Sequence, residues 1–185
     1  MPIMPKLSEE FKSEIKVLSR EDLEKVVIRF AQKYTEMHDY ILITHIDKSK
    51  GEREVFSDAQ SDLDVLMSKS YKGFSFQLQM ANKITACVKR INEFDKVCKS
   101  KHLVADLCIY VLDSIFSLPE NTFGSCFTNF DYKASLLTQK LITLVQKKLH
   151  PDYMANYRNN INLYLSILHH RAGFHDFVYK MPKEV

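Results

Sequence analysis

The stretch Leu103-Val-Ala-Asp-Leu-Cys-Ile-Tyr-Val-Leu-Asp-Ser-Ile-Phe116 is apolar almost all round, with Leu103, Val104, Leu107, Ile109, Val111, Leu112, Ile115 and Phe116 spread over every side of a helix. A helix with no polar face is a central one, covered by its neighbours. The run is too short to be a membrane span, which needs 18 or more consecutive apolar residues. The rest of the chain is therefore expected to supply the helices that cover it.

Reading outward in both directions finds them. Towards the C-terminus, Pro119 and Gly124 bracket a connection. A helix over about Phe127 to Leu149 turns Leu137, Leu141, Leu144 and Val145 inward. Pro151 suits the first turn of the next helix, where its missing N–H costs nothing. That helix carries Tyr153, Tyr157, Ile161, Tyr164, Leu165 and Leu168 as one stripe, and Gly173 ends or bends it. Phe174 to Met181 form a last short segment.

Towards the N-terminus, a helix beginning near Ser75 carries Leu78, Ala81, Ile84, Val88, Ile91 and Phe94. A weaker one holds Val55, Leu63, Leu66 and Met67, and ends near Gly73. Asp47-Lys-Ser-Lys-Gly51 reads as a loop. Leu23, Val26, Val27, Phe30, Tyr34, Met37, Ile41 and Leu42 keep a helical rhythm for about six turns, long enough to expect a break near Asp39. Before them, Leu7, Phe11, Ile15 and Leu18 form the stripe of a short helix that Ser8 can cap, and Ser19-Arg-Glu-Asp22 marks the next start.

No stretch alternates polar and apolar residues long enough to demand a strand. Four Gly and five Pro in 185 residues are also too few for the tight turns of a sheet-rich fold. The expected fold is all-α: seven to eight antiparallel helices in a single domain over 1–185, with residues 1–6 flexible. Two packings stay open, a globular bundle around the central helix and a short HEAT-like array of helical hairpins.

Charge and cysteine usage narrow the function classes. The net charge is +3, divided as −2 over residues 1–75 and +5 over residues 76–185. A pI of about 8.6 falls below that of a dedicated nucleic-acid domain, although Lys89/Arg90, Lys99/Lys101 and Lys147/Lys148 could present a basic surface to an acidic partner or, weakly, to nucleic acid. Cys87, Cys98, Cys108 and Cys126 form no C-x-x-C pair, so the first three read as small buried hydrophobes in a reducing compartment. The N-terminus turns acidic before any apolar run, unlike a secretory signal, and the expected location is the cytoplasm with no membrane association.

Lys89-Arg-Ile-Asn-Glu-Phe94, Ala105-Asp-Leu-Cys-Ile-Tyr-Val111 and Gly173-Phe-His-Asp176, preceded by Leu18-Ser-Arg-Glu-Asp-Leu23, resemble a family of small all-helical bacterial proteins of unknown function. The similarity spans most of residues 18–181. It implies a helical fold and carries no activity, so no site residue follows from it.

The densest polar cluster is His169-His170-Arg-Ala-Gly-Phe-His175-Asp176. Of these, His170, His175 and Asp176 could supply nitrogen and oxygen donors to a divalent metal or to a hydrolytic site. Adjacent His169 and His170 diverge by about 100° on a helix, which predicts that only one serves a given site. The plainer expectation is that Asp176 caps the last segment and His175 packs. His102 and Asp106 are spaced to pair on one helix face. Tyr153, Tyr157 and Tyr164 are core if buried and a binding surface if exposed. Phosphate-loop, dinucleotide, nucleophile-elbow and H-E-x-x-H motifs are missing, so no cofactor is predicted. These observations point to a protein–protein interaction module or homo-oligomer, with a metal-binding or hydrolytic protein as the alternative.

Overall fold

The computed structural model describes residues 7–46, 48–125, 128–173 and 175–185, so the segment 1–6 expected to be flexible lies outside it. The elements are α1 Glu9–Val17, α2 Arg20–Lys33, α3 Thr35–Ile41, a π-helical turn Leu42–Ile46, α4 Lys48–Ser68, α5 Phe76–Val97, α6 Lys101–Phe116, α7 Thr128–Lys148, α8 Met154–Arg171 and α9 His175–Val178. Single 3₁₀ turns cover Glu120–Thr122 and Pro151–Tyr153. The described residues contain no strand, and the all-α expectation holds.

Helix α6 is covered as its composition requires. Val104, Leu107, Cys108, Val111, Leu112 and Ile115 are fully buried, and the helix packs on α4, α5, α7 and α8. Each of α4 to α7 packs on the next helix and, up to α6, on the next but one: α4 on α6, α5 on α7, α6 on α8. Two layers result, with α4, α6 and α8 in one and α5 and α7 in the other. Helix α3 packs on α5, and α9 on α7 and α8.

Polar links run through the first layer. The phenol of Tyr110 in α6 donates to Asp64 in α4 at 2.5 Å, and that of Tyr157 in α8 donates to Asp106 in α6 at 2.8 Å. Tyr164 in α8 likewise donates to Asp113 in α6. Asp106 thus takes its proton donor from Tyr157 rather than from His102, whose ring stacks on Tyr153 with centroids 5.8 Å apart.

Three local expectations are corrected. The six-turn rhythm breaks at Tyr34, five residues before Asp39, where the backbone becomes extended (φ −130°, ψ 108°) and α2 ends. The loop placed at 47–51 is largely helix: Lys48 to Gly51 form the first turn of α4, and Asp47 is outside the described residues. Gly51 packs closely on the preceding turn, where a Cβ on it would stand 3.2 Å from the carbonyl oxygen of Leu42 and 3.3 Å from that residue's side chain. Finally, Arg90 does not join Lys89 on a basic surface. It is 5% exposed, and its guanidinium lies between Asp39 of α3, at 3.3 Å, and Asp62 of α4, at 2.7 Å.

That cluster fastens three helices at one point. Burial pushes the carboxyl of Asp39 above its ordinary range, against the opposing pull of His38, 3.2 Å away, and of Arg90. Removing one partner of such a buried pair strands the other charge, which typically costs about 3–5 kcal/mol. Arg90→Ala should therefore lower the unfolding free energy by that order in urea titration. Asp62→Asn, at a half-exposed partner, should cost about 1 kcal/mol or less.

Candidate functional site

The C-terminal corner is built from the last turn of α8, the turn after it, and the tail. His169 lies with its Nε2 3.1 Å from the carbonyl of Pro182, and the Nδ1 of His170 lies 2.7 Å from the carbonyl of Ser166 one turn back. A neutral imidazole facing a carbonyl carries its proton on that nitrogen. The Nδ1 of His169 and the Nε2 of His170 are then the ring atoms left with lone pairs. Both residues line one cleft of roughly 530 Å³, together with Asn162, Ser166, Met181 and Lys183. The tail is tied across it by the amide of Val185, which donates to Asn162 Oδ1 at 2.9 Å.

The expected ligand set His170, His175 and Asp176 is only partly visible. Asp176 is exposed in the first turn of α9, inside the helix rather than at its cap, and the side chain of His175 lies outside the described residues. Among the described residues no three His, Cys, Asp or Glu side chains converge as metal ligands.

The residue that organises this corner is Asp131, near the start of α7, which carried no signal in the sequence. Its Oδ2 accepts the amides of Gly124, at 3.0 Å, and Gly173, at 2.6 Å, and so clamps the turn before α7 to the turn after α8. Gly124 is required by backbone conformation and space, and Gly173 is closely packed. Gly124 has φ +72°, and a Cβ there would meet the Arg171 carbonyl oxygen at 2.5 Å; one on Gly173 would meet Asp131 Oδ2 at 3.3 Å. Burial raises the carboxyl of Asp131 above its usual range, and the two amides only partly offset this.

The tyrosine stripe is core where it was open to being surface. Tyr157 and Tyr164 are buried, and their phenols are held by Asp106 and Asp113, so neither forms a binding surface. Tyr153 remains exposed at 39%. Cys87, Cys98 and Cys108 are free and buried as expected, though Cys98 is the extended residue that ends α5 and not a helical one, and the Cys87 and Cys108 thiols are pushed up to about 12 by desolvation.

The exposed apolar surface sits at the other end of the chain. Ser8 and Ser19 cap α1 and α2, their hydroxyls accepting the amides of Phe11 and Asp22 at 3.1 Å, and the extended residues Leu18 and Ser19 separate the helices. Neither helix buries a residue. Leu7, Phe11, Ile15, Val26, Val27 and Phe30 are each 37–53% exposed, and Leu18, Tyr34 and Met37 continue the stripe. Between α1, α2 and the Lys89–Glu93 edge of α5 runs a groove of roughly 1030 Å³, floored by Leu7, Ile15, Phe30, Tyr34 and Met37. The arm meets the body through α3, where Lys96 of α5 holds Glu36 at 2.9 Å and Arg90 holds Asp39.

Compared with protein-family models, curated proteins and solved structures, the chain finds no match.

The clamp predicts a pH signature. Because the folded carboxyl of Asp131 titrates above its unfolded value, the native state holds a proton that the unfolded chain has released across the interval between the two. Stability contributed by this residue should fall as pH rises through that interval. Asp131→Asn, which keeps an acceptor for both amides, should flatten that part of the profile in urea titrations run over a pH series. Asp131→Ala, which orphans them, should cost roughly 2 kcal/mol throughout.

Proposed function

We propose that the chain is a helical protein–protein interaction module, a short HEAT-like stack of hairpins that presents an amphipathic arm, α1 and α2, as its docking element. The observation that carries this reading is the lack of any buried residue in two capped helices of nine and fourteen residues. Isolated helices below about 12–15 residues are marginal in water, and most helical stability in proteins comes from packing an apolar face. An arm with a continuous apolar stripe and no cover of its own fits a surface that is completed by a partner.

The body supports the same reading. Its helices pack on near neighbours in two layers, an arrangement that lets hairpin stacks hold an extended surface in place. The resemblance to small helical bacterial proteins agrees with such a fold, and the buried thiols suit a reducing, cytoplasmic setting.

The test is comparative capture from the native cell with the intact chain and with Phe11→Glu/Phe30→Glu, both at exposed positions. A protein retained by the wild type should be depleted at least tenfold by the variant, a loss of about 1.4 kcal/mol in affinity, while the thermal midpoint stays where it was. Identical retention by both chains would remove the arm as the docking element.

A further inference from the structure

We propose that the partner of the arm is a second copy of this chain, with two α2 helices packed antiparallel about a two-fold axis between Val26 and Val27. This rests on the arm being the docking element, and three observations specify the occupant.

The first is area. Val26, Val27, Phe30 and Tyr34 of α2, each leaving roughly 80 Å² of apolar surface open, supply on the order of 320 Å², and the five stripe residues of α1, its link and α3 bring the whole face to about 720 Å², beyond the few hundred Å² usual on a monomer and near the ~800 Å² per partner of a standard interface.

The second is charge. Helical spacing places Asp22, Arg29 and Lys33 along one flank of the α2 stripe, with the acid at its start and the bases in its second half. In an antiparallel pair the same flanks meet, so Asp22 of each copy faces Arg29 and Lys33 of the other. In a parallel pair this flank would meet the partner's opposite flank, which carries Glu24, Ile28 and Ala31, so the match belongs to the antiparallel arrangement. The pattern is therefore complementary to itself under the two-fold symmetry that isologous dimers use.

The third is shape. Val26, Arg29, Phe30, Lys33 and Tyr34 surround a shallow hollow of roughly 350 Å³. Rotation about a point between Val26 and Val27 carries Leu23 of the other copy opposite Phe30, into that hollow. The Phe30 and Tyr34 rings, stacked with centroids 5.9 Å apart, form one of its walls.

The experiment is sedimentation velocity on the purified full chain, with three variants. Wild type should sediment at about twice the 21.6 kDa chain mass at micromolar concentration. Asp22→Lys alone should weaken self-association at least tenfold, as should Arg29→Asp/Lys33→Asp alone, and a one-to-one mixture of the two should recover the dimer. Phe11→Glu/Phe30→Glu should be monomeric with an unchanged circular dichroism spectrum. Should replacing Asp22 loosen the Ser19 cap, the Arg29/Lys33 variant, which touches no cap, still decides the matter. A wild type that stays monomeric up to hundreds of micromolar overturns self-pairing, as do charge variants that dimerise like wild type. A monomeric wild type that still captures a different protein through Phe11 and Phe30 defeats this proposal and leaves the module reading standing. Loss of both defeats both.

Discussion

Enclosure of α6 is the constraint from which the rest of the body follows. A rod with Leu, Val and Ile on most sides has to meet protein on most of them, no single neighbour can cover it, and only Asp113 and Ser114 of the helix are left exposed. Helices α5 and α7 cover it from the second layer and α4 and α8 flank it within its own, which produces two layers. Of the polar groups that α6 carries towards its own layer, Tyr110, Asp106 and Asp113 are each matched by a phenol or carboxylate of α4 or α8, and the His102 ring stacks on Tyr153. Packing supplies the bulk of the stability, and the tyrosine–aspartate pairs fix how far one helix slides along the next.

Two buried carboxylates do a different job at the margins of this body. Asp39 and Asp131 both sit where short elements join long ones, and each gathers donors that no regular helix would satisfy. Burial disfavours the charge of both, and it is opposed by His38 and Arg90 in one case and by two backbone amides in the other. Each holds an irregular segment in register with the core: α3 at one end, the α8–α9 turn at the other.

Much of this architecture could be read from spacing. The caps Ser8 and Ser19, the helix start near Ser75, the central character of 103–116 and the inward stripes of α5, α7 and α8 all follow from periodicity and local hydrogen bonding, which are properties of neighbouring residues. What escaped depends on residues far apart in the chain. Gly51 looked like a loop residue because the residue it packs on is Leu42, reached only after the chain has turned back. Arg90 looked like half of a surface pair because its partners lie 51 and 28 positions away. Asp131 gave no signal because it is paired with amides, which every residue has. The histidine cluster drew attention by density, yet sequence could not show that His169 and His170 share a cleft closed by the tail. In the tyrosine stripe, spacing set the face correctly and left its burial undecided, since Asp106 and Asp113 belong to another helix.

The division between a locked body and an unburied arm has a consequence for how the sequence can change over generations. Substitutions within α5 to α8 disturb close-packed neighbours and are filtered by folding itself. Along α1 and α2 no core side chain leans on the residue being replaced, so folding filters a change there only through the caps and the helical backbone. Residues 9–33 are thus freer to drift, while the scaffold behind them stays constant.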